Sequence, residues 1–260
     1  MSDVEGLDLV VAGEIATLTL NQPARRNAVN RVMWRGIPEV LEAVRAARAK
    51  VLILTGAGEA FAAGADISEF QQVYADRQTA GAYFGEIAAA MEAVARFETP
   101  TVARIDGPCV GGGLGLALCC DIRIASDRAR LGITPAKLGL MYSLADTKRL
   151  VEVVGPSRAK DILYTGRILT ANEALAIGLV DSVTTVGGLD DAVAANAADI
   201  AAASQWSARK AKTIVARILN GQATDDAETI AWMLDAVEGE DFVEGRDAFL
   251  GKRTPQFPFR

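Results

Sequence analysis

Two segments of small residues are the best candidates for chemistry: Phe61-Ala62-Ala63-Gly64-Ala65-Asp66-Ile67 and the run Gly111-Gly112-Gly113. Each follows an apolar stretch of strand character, and the second opens a helical pattern. Backbone N–H groups exposed in such segments need no side-chain ordering, and at a helix N-terminus the helix dipole reinforces them. Two of them converging on one point would stabilise an oxygen that gains negative charge, as in an oxyanion hole. Glycine runs serve close helix packing and turns equally well, so composition alone leaves both readings open. The chain has no histidine, which removes the usual general base, the commonest metal ligand and the middle member of a Ser-His-Asp triad. Cys109, Cys119 and Cys120 have no CxxC spacing, so neither a thiolate zinc site nor a disulfide framework is expected, and no metal. A third glycine motif, Gly56-x-Gly58, suggests a dinucleotide loop, but Phe61 stands where its third glycine would be.

The elements that must hold these segments are legible from periodicity. Leu7–Val11 and Ile15–Leu20 read as an opening hairpin around Gly13-Glu14. From Asn30 to Ala47 apolar residues recur at three and four, a helix capped by Asn30 whose start is blurred by Gly36 and Pro38. Val51–Thr55 and Thr101–Ile105 are short apolar runs typical of strands buried on both faces. Helix is expected over Ile87–Phe97, Leu144–Val154, Arg158–Leu163 and Asn172–Ile177, and strand at Ile122–Ala125, Arg130–Leu131 and Val180–Val183. Beyond Gly187-Gly188 the chain turns alanine-rich with no strand signal. The expected division is an α/β core over residues 1–195 and a helical region over 196–260.

Composition narrows the function. Twenty-seven lysines and arginines face 33 aspartates and glutamates, a net charge of −6, so no global basic field attracts nucleic acid. The acidic opening MSDVEGLD lacks an apolar leader core, and the longest gap-free apolar stretch, Val110–Cys120, is too short to span a bilayer. A soluble cytoplasmic protein with no membrane partner is the expectation, with its thiols reduced.

Several motifs in order resemble the crotonase superfamily, the enoyl-CoA hydratase/isomerase family, nearly end to end. They are Asn21-Gln22-Pro23 with Arg26-Asn27-Ala28, Val51 to Gly56, Ala62 to Ile67, and Asp106-Gly107 through Arg123. Later come Leu163 to Arg167, Ala174 to Val180 and the tail Glu244 to Arg253. The resemblance implies a crotonase-like α/β core of repeated ββα units, and a helical C-terminal region that packs subunits into trimers or hexamers. It also implies an acyl-CoA thioester as substrate, with coenzyme A present only as part of that substrate and no separate cofactor. The matching oxyanion donors are the N–H groups of Ala65 and Gly112. Arg25, Arg26, Ala28, Ala62 and Ala63 would line the CoA nucleotide site, while Phe249 and Lys252 would close over it, from this or a neighbouring subunit.

Two positions depart from that pattern. The first hydratase glutamate maps to Gly115 and the second to Pro135, so the pair of carboxylates that activates water and protonates the α-carbon is missing. Decarboxylation of a malonyl-type thioester needs no base, because loss of CO2 generates the carbanion itself. The stretch Thr134–Leu144 is similar to the corresponding segment of methylmalonyl-CoA decarboxylases, with proline at the lost glutamate and a matching tyrosine, Tyr142. On that likeness Tyr142 orients or protonates near the reacting carbon. Thr134, Lys137 and Ser143 are further polar candidates nearby, and Asp146, one turn from Tyr142, is the best surviving carboxylate, with an N-terminal charge cap as its structural alternative. Asp66 is expected to fix its own loop, while Glu69 and Glu86 are reserves for relocated acid/base groups. The competing readings are a hydratase or isomerase using such groups, and an acyl-CoA-binding protein without turnover.

Overall fold

A computed structural model describes residues 4–258; the first three residues of the acidic opening stretch and the last two of the chain lie outside the described residues. Strands β1 (Leu7–Ala12) and β2 (Ile15–Leu20) form the expected hairpin, with Leu7 opposite Leu20. After the turn at 23–25 comes α1 (Arg31–Ala46), whose N-cap Asn30 accepts a hydrogen bond from the Met33 N–H. Pro38 sits inside this helix without ending it, and Gly36 is where the backbone passes close to Val4. Strand β3 (Val51–Gly56) then pairs in parallel with β2.

Downstream lie α2 (Phe70–Val73), α3 (Arg77–Ala95) and β4 (Thr101–Ile105). Next come β5 (Pro108–Val110), α4 (Gly112–Cys119), β6 (Ile122–Ser126) and β7 (Arg130–Gly132). The chain continues through α5 (Leu144–Val154), α6 (Pro156–Thr165), β8 (Ile168–Thr170), α7 (Ala171–Ala176) and β9 (Ser182–Thr184). Four helices close it: α8 (Leu189–Ala202), α9 (Gln205–Leu219), α10 (Ala227–Glu238) and α11 (Glu240–Leu250).

Six strands make a sheet in the order β1-β2-β3-β4-β6-β9, parallel except for β1, while β5, β7 and β8 form a smaller sheet. The pairs β4-β5 and β6-β7 each put the first strand in the large sheet and the second in the small one before a helix follows. This is the repeated ββα turn that the family resemblance implies. The central parallel strands β3 and β4 are largely apolar because both faces are covered. Leu52, Leu54 and Ala103 join the main core with α1 and α3, and Val51, Val102 and Ile124 pack on Leu189, Val193, Ala197 and Ala201 of α8.

That packing bears on the expected division near residue 195. Residue 195 lies in the middle of α8, which belongs to the core: buried Lys50 donates to the Ala201 carbonyl, and Arg104 of β4 pairs with Asp190. α8 runs on to Ala202 before the next helix begins at Gln205. α3 is also longer than expected, starting at Arg77 behind an Asp76 cap, and the three-residue strands β5 and β8 are additions. Among the described residues no helix is long and apolar enough to cross a membrane.

Candidate active site

Segment 61–66 is stitched between two others by backbone hydrogen bonds. On one side the Val29 N–H donates to Gly64 O at 2.7 Å, the Asp66 N–H to Val29 O at 3.0 Å and the Ala63 N–H to Arg26 O at 2.9 Å. On the other the Ala62 N–H donates to Pro108 O at 3.0 Å and the Val110 N–H to Ala62 O at 2.9 Å. Ala65 is thereby carried to the N-terminus of α4. A β-carbon placed on Gly112 would lie 3.6 Å from the Ala65 nitrogen, and one on Gly64 would lie 3.5 Å from the Gly112 nitrogen. Neither the Ala65 nor the Gly112 N–H has an acceptor among the described residues, and Gly112 is the first residue of α4, where the helix leaves its N–H groups free. Two unspent donors from different parts of the chain therefore border one spot, an arrangement suited to an anionic oxygen.

The glycines make this approach possible. A β-carbon on Gly113 would lie 2.5 Å from Ala62 O and 2.7 Å from Ala62 Cβ, so α4 rests directly on segment 61–63. Gly111, the residue before α4, has φ 55 and ψ −123, a conformation that L side chains rarely adopt. Trp34 of α1 forms a wall that sequence reading missed: its ring atoms Cζ2 and Cη2 would stand 3.2 and 3.4 Å from a Gly112 β-carbon. Its place on the buried apolar stripe of α1 was the only signal, and that stripe reads as ordinary core.

The place of a side chain at Gly115 is filled. A β-carbon there would meet Tyr142 Oη at 2.7 Å and Met91 Cε at 2.8 Å. Thus Tyr142 reaches the first turn of α4, where its hydroxyl donates to Gly111 O at 3.3 Å. Burial pushes its phenol well above the ordinary range, with the negative charge of Asp146 adding to the shift, so it is neutral.

The remaining carboxylates are engaged. Asp146 is buried; one oxygen accepts from Ser143 Oγ at 2.5 Å and the other from Arg149 at 2.9 Å, while Ser143 caps α5 by accepting the Asp146 N–H. Asp146, expected to be catalytic, is here a capping and ion-pairing group with both oxygens engaged. Glu86 is clamped by both arms of Arg31 and by Arg35, and the Arg31 bonds lead in holding its carboxyl below the usual range. Glu69 accepts the Arg31 N–H at 2.8 Å. Burial would raise Asp66, but hydrogen bonds from Ser68 and Arg25 outweigh it and hold that carboxyl low. As expected, Asp66 fixes its own turn, accepting from both the N–H and the hydroxyl of Ser68.

Of the expected CoA-binding residues, the structure brings Arg25, Arg26, Ala28 and Ala63 together along the seam between 25–29 and 62–66. Arg26 is exposed, and exposed Arg25 pairs with Asp66. Ala62 is fully buried between β5 and α4. Phe249, 83% exposed, and Lys252 lie at the far end of α11, and no hydrogen bond, ion pair or ring contact among the described residues joins them to that seam. A separate cleft of about 550 Å3 lies in the appendage, lined by Trp206, Phe242 and Phe257, and none of the groups above lines it.

The family model for enoyl-CoA hydratase/isomerase matches residues 11–259. The chain belongs to the enoyl-CoA hydratase/isomerase family. A crotonyl-CoA hydratase from Syntrophomonas wolfei is 35% identical over 260 residues, covering 97% of this chain and 98% of its own. An enoyl-CoA hydratase/isomerase family protein from Hyphomonas neptunium has a similar structure, with TM-score 0.96, 42% identity and full coverage of both chains. An enoyl-CoA hydratase/carnithine racemase from Magnetospirillum magneticum gives TM-score 0.95 at 39% identity, covering 98% of this chain and 96% of its own. The fold is therefore that of the crotonase superfamily, and the protein is a member of an enzyme family.

Proposed function

We propose that the protein binds an acyl-CoA thioester, holds its carbonyl oxygen on the Ala65 and Gly112 amides, and decarboxylates a malonyl-type acyl group. The observation that carries this reading is a pair of unspent amides beside carboxylates that are all engaged, with a neutral tyrosine in the place of the Gly115 side chain. In the reaction the bond between the α-carbon and its carboxylate breaks and the electron pair moves into the thioester as an enolate. CO2 leaves, and the α-carbon takes up one proton supplied ultimately by water. The enzyme has only to hold the negative oxygen and keep the site dry. Each such donor is worth about 3 to 4 kcal/mol in the transition state.

Arg25 and Arg26 bring positive charge to the CoA phosphates on an otherwise acidic protein. Phe249 and Lys252 close over the nucleotide from a neighbouring subunit in a homotrimer or hexamer. Exposed apolar residues of the appendage, such as Ile218, Met233 and Leu234, support that association. The three cysteines are buried and burial pushes their thiols up, which suits a reducing cytoplasm.

Hydration is the second reading, favoured by the activity named for the Syntrophomonas relative; it needs a proton carrier other than the two missing glutamates. The deciding experiment incubates the protein with methylmalonyl-CoA and, separately, crotonyl-CoA, following intact thioesters by mass spectrometry. Loss of CO2 from the first is the expected result. Addition of water to crotonyl-CoA with methylmalonyl-CoA untouched overturns it, and binding without conversion of either leaves a carrier protein.

A further inference from the structure

Gly111 is bonded on both sides of its α-carbon. Its N–H donates to Gly132 O at 2.8 Å, and its carbonyl accepts both the Gly115 N–H at 3.0 Å and the Tyr142 hydroxyl at 3.3 Å. That carbonyl shares one planar trans peptide with the Gly112 N–H, the amide that has no acceptor among the described residues. In a trans peptide the C=O and the N–H point in opposite directions. A donor on the oxygen therefore draws electron density from the nitrogen side and strengthens the N–H as a donor.

Tyr142 is placed to supply that pull. The buried phenol keeps its proton, and Gly111 O is its sole hydrogen-bond acceptor among the described residues. The 3.3 Å separation is long for an O–H···O bond, so shortening when an anionic oxygen loads the Gly112 N–H would strengthen both contacts together. Gly115 makes room for the hydroxyl, since a β-carbon there would stand 2.7 Å from it.

We propose that Tyr142 is a positioning residue whose hydroxyl, donated to the Gly111 carbonyl, aligns and polarises the peptide whose N–H receives the thioester oxygen. The proposal rests on the oxyanion reading of Ala65 and Gly112, and deepens it. It also accounts for glycine at 115 by a packing need: any side chain there drives the tyrosine off its acceptor.

The test uses propionyl-CoA labelled with carbon-13 at its carbonyl and isotope-edited infrared spectroscopy of the bound thioester. In the parent protein the carbonyl band is expected below its solution position. Tyr142→Phe, which removes one oxygen and keeps the ring, should move the band part-way back. Gly115→Ala keeps the phenol but displaces its mobile end, and should move the band in the same direction. With methylmalonyl-CoA both variants should lose about three- to tenfold in kcat, the size of one hydrogen bond, with KM within about twofold. A band that stays put in both variants overturns the proposal, even if Tyr142→Phe loses turnover, because the hydroxyl would then be acting on the substrate directly. A parent band at its solution position instead overturns the oxyanion reading itself.

Discussion

Replacing Gly113 by alanine tests whether the contact between α4 and segment 61–63 sets the amide geometry. The new β-carbon would lie 2.5 Å from Ala62 O, 2.7 Å from Ala62 Cβ and 3.0 Å from Ala62 C, two of these three being backbone atoms that cannot rotate away. To restore ordinary contact, helix and segment must part by about 0.9 Å, since dispersion gives way to steep repulsion at shorter range. Overpacking of this kind costs about 1–3 kcal/mol. For a chain of this size that lowers the melting temperature by roughly 2–4 °C per kcal/mol. The displacement falls on the residue next to Gly112, and a shift of about 1 Å at a positioning group costs up to about a hundredfold in rate. Thermal unfolding and methylmalonyl-CoA turnover should therefore fall together. Unchanged melting and turnover would refute the packing argument. Lowered melting with full kcat would separate helix position from the chemistry.

Two further outcomes concern protons. With no histidine, a neutral Tyr142, and Asp66 and Glu86 held below the usual carboxylate range, kcat for decarboxylation should be level between about pH 6 and pH 9; a bell-shaped profile centred near neutrality would show a titrating acid or base and defeat the base-free scheme. Asp106, buried, accepts from both arms of Arg128 and from Ser126 Oγ, and the Arg128 bonds lead in lowering its pKa. Its folded value thus lies below the unfolded value of about 3.9, so its stabilisation is complete above that pH and is lost as pH falls through the folded value. Asp106→Asn should melt below the parent at neutral pH, with the difference closing in acid, as read by melting scans across pH; a constant difference would refute the assignment.

The buried strands were readable because parallel strands covered on both faces leave an uninterrupted apolar run, as in Val51–Thr55 and Thr101–Ile105. The first half of α3 was hidden because Gly81 and Gly85 interrupt a stretch with few buried residues; only Tyr83 and the Asp76 cap mark it. β5 and β8, three residues each, are too short for any period to show. The position 195 falls inside α8 because alanine enrichment starts within that helix, where small residues let it lie close on the sheet. At the site, Ala65 and Gly112 were reachable only through resemblance, since a backbone donor leaves no mark in residue type. Asp146 looked available because its partner Arg149 is indistinguishable in sequence from any solvated cation.

Both donors of the candidate anion trap are main-chain groups, fastened by main-chain hydrogen bonds from Val29, Ala63, Asp66 and Val110. Among side-chain replacements only proline deletes such a group; any other reaches it by deforming the backbone. Changes of residue type around it leave both donors in place so long as the backbone keeps its course. Proline aside, a site built this way is lost only when the path of the chain itself changes.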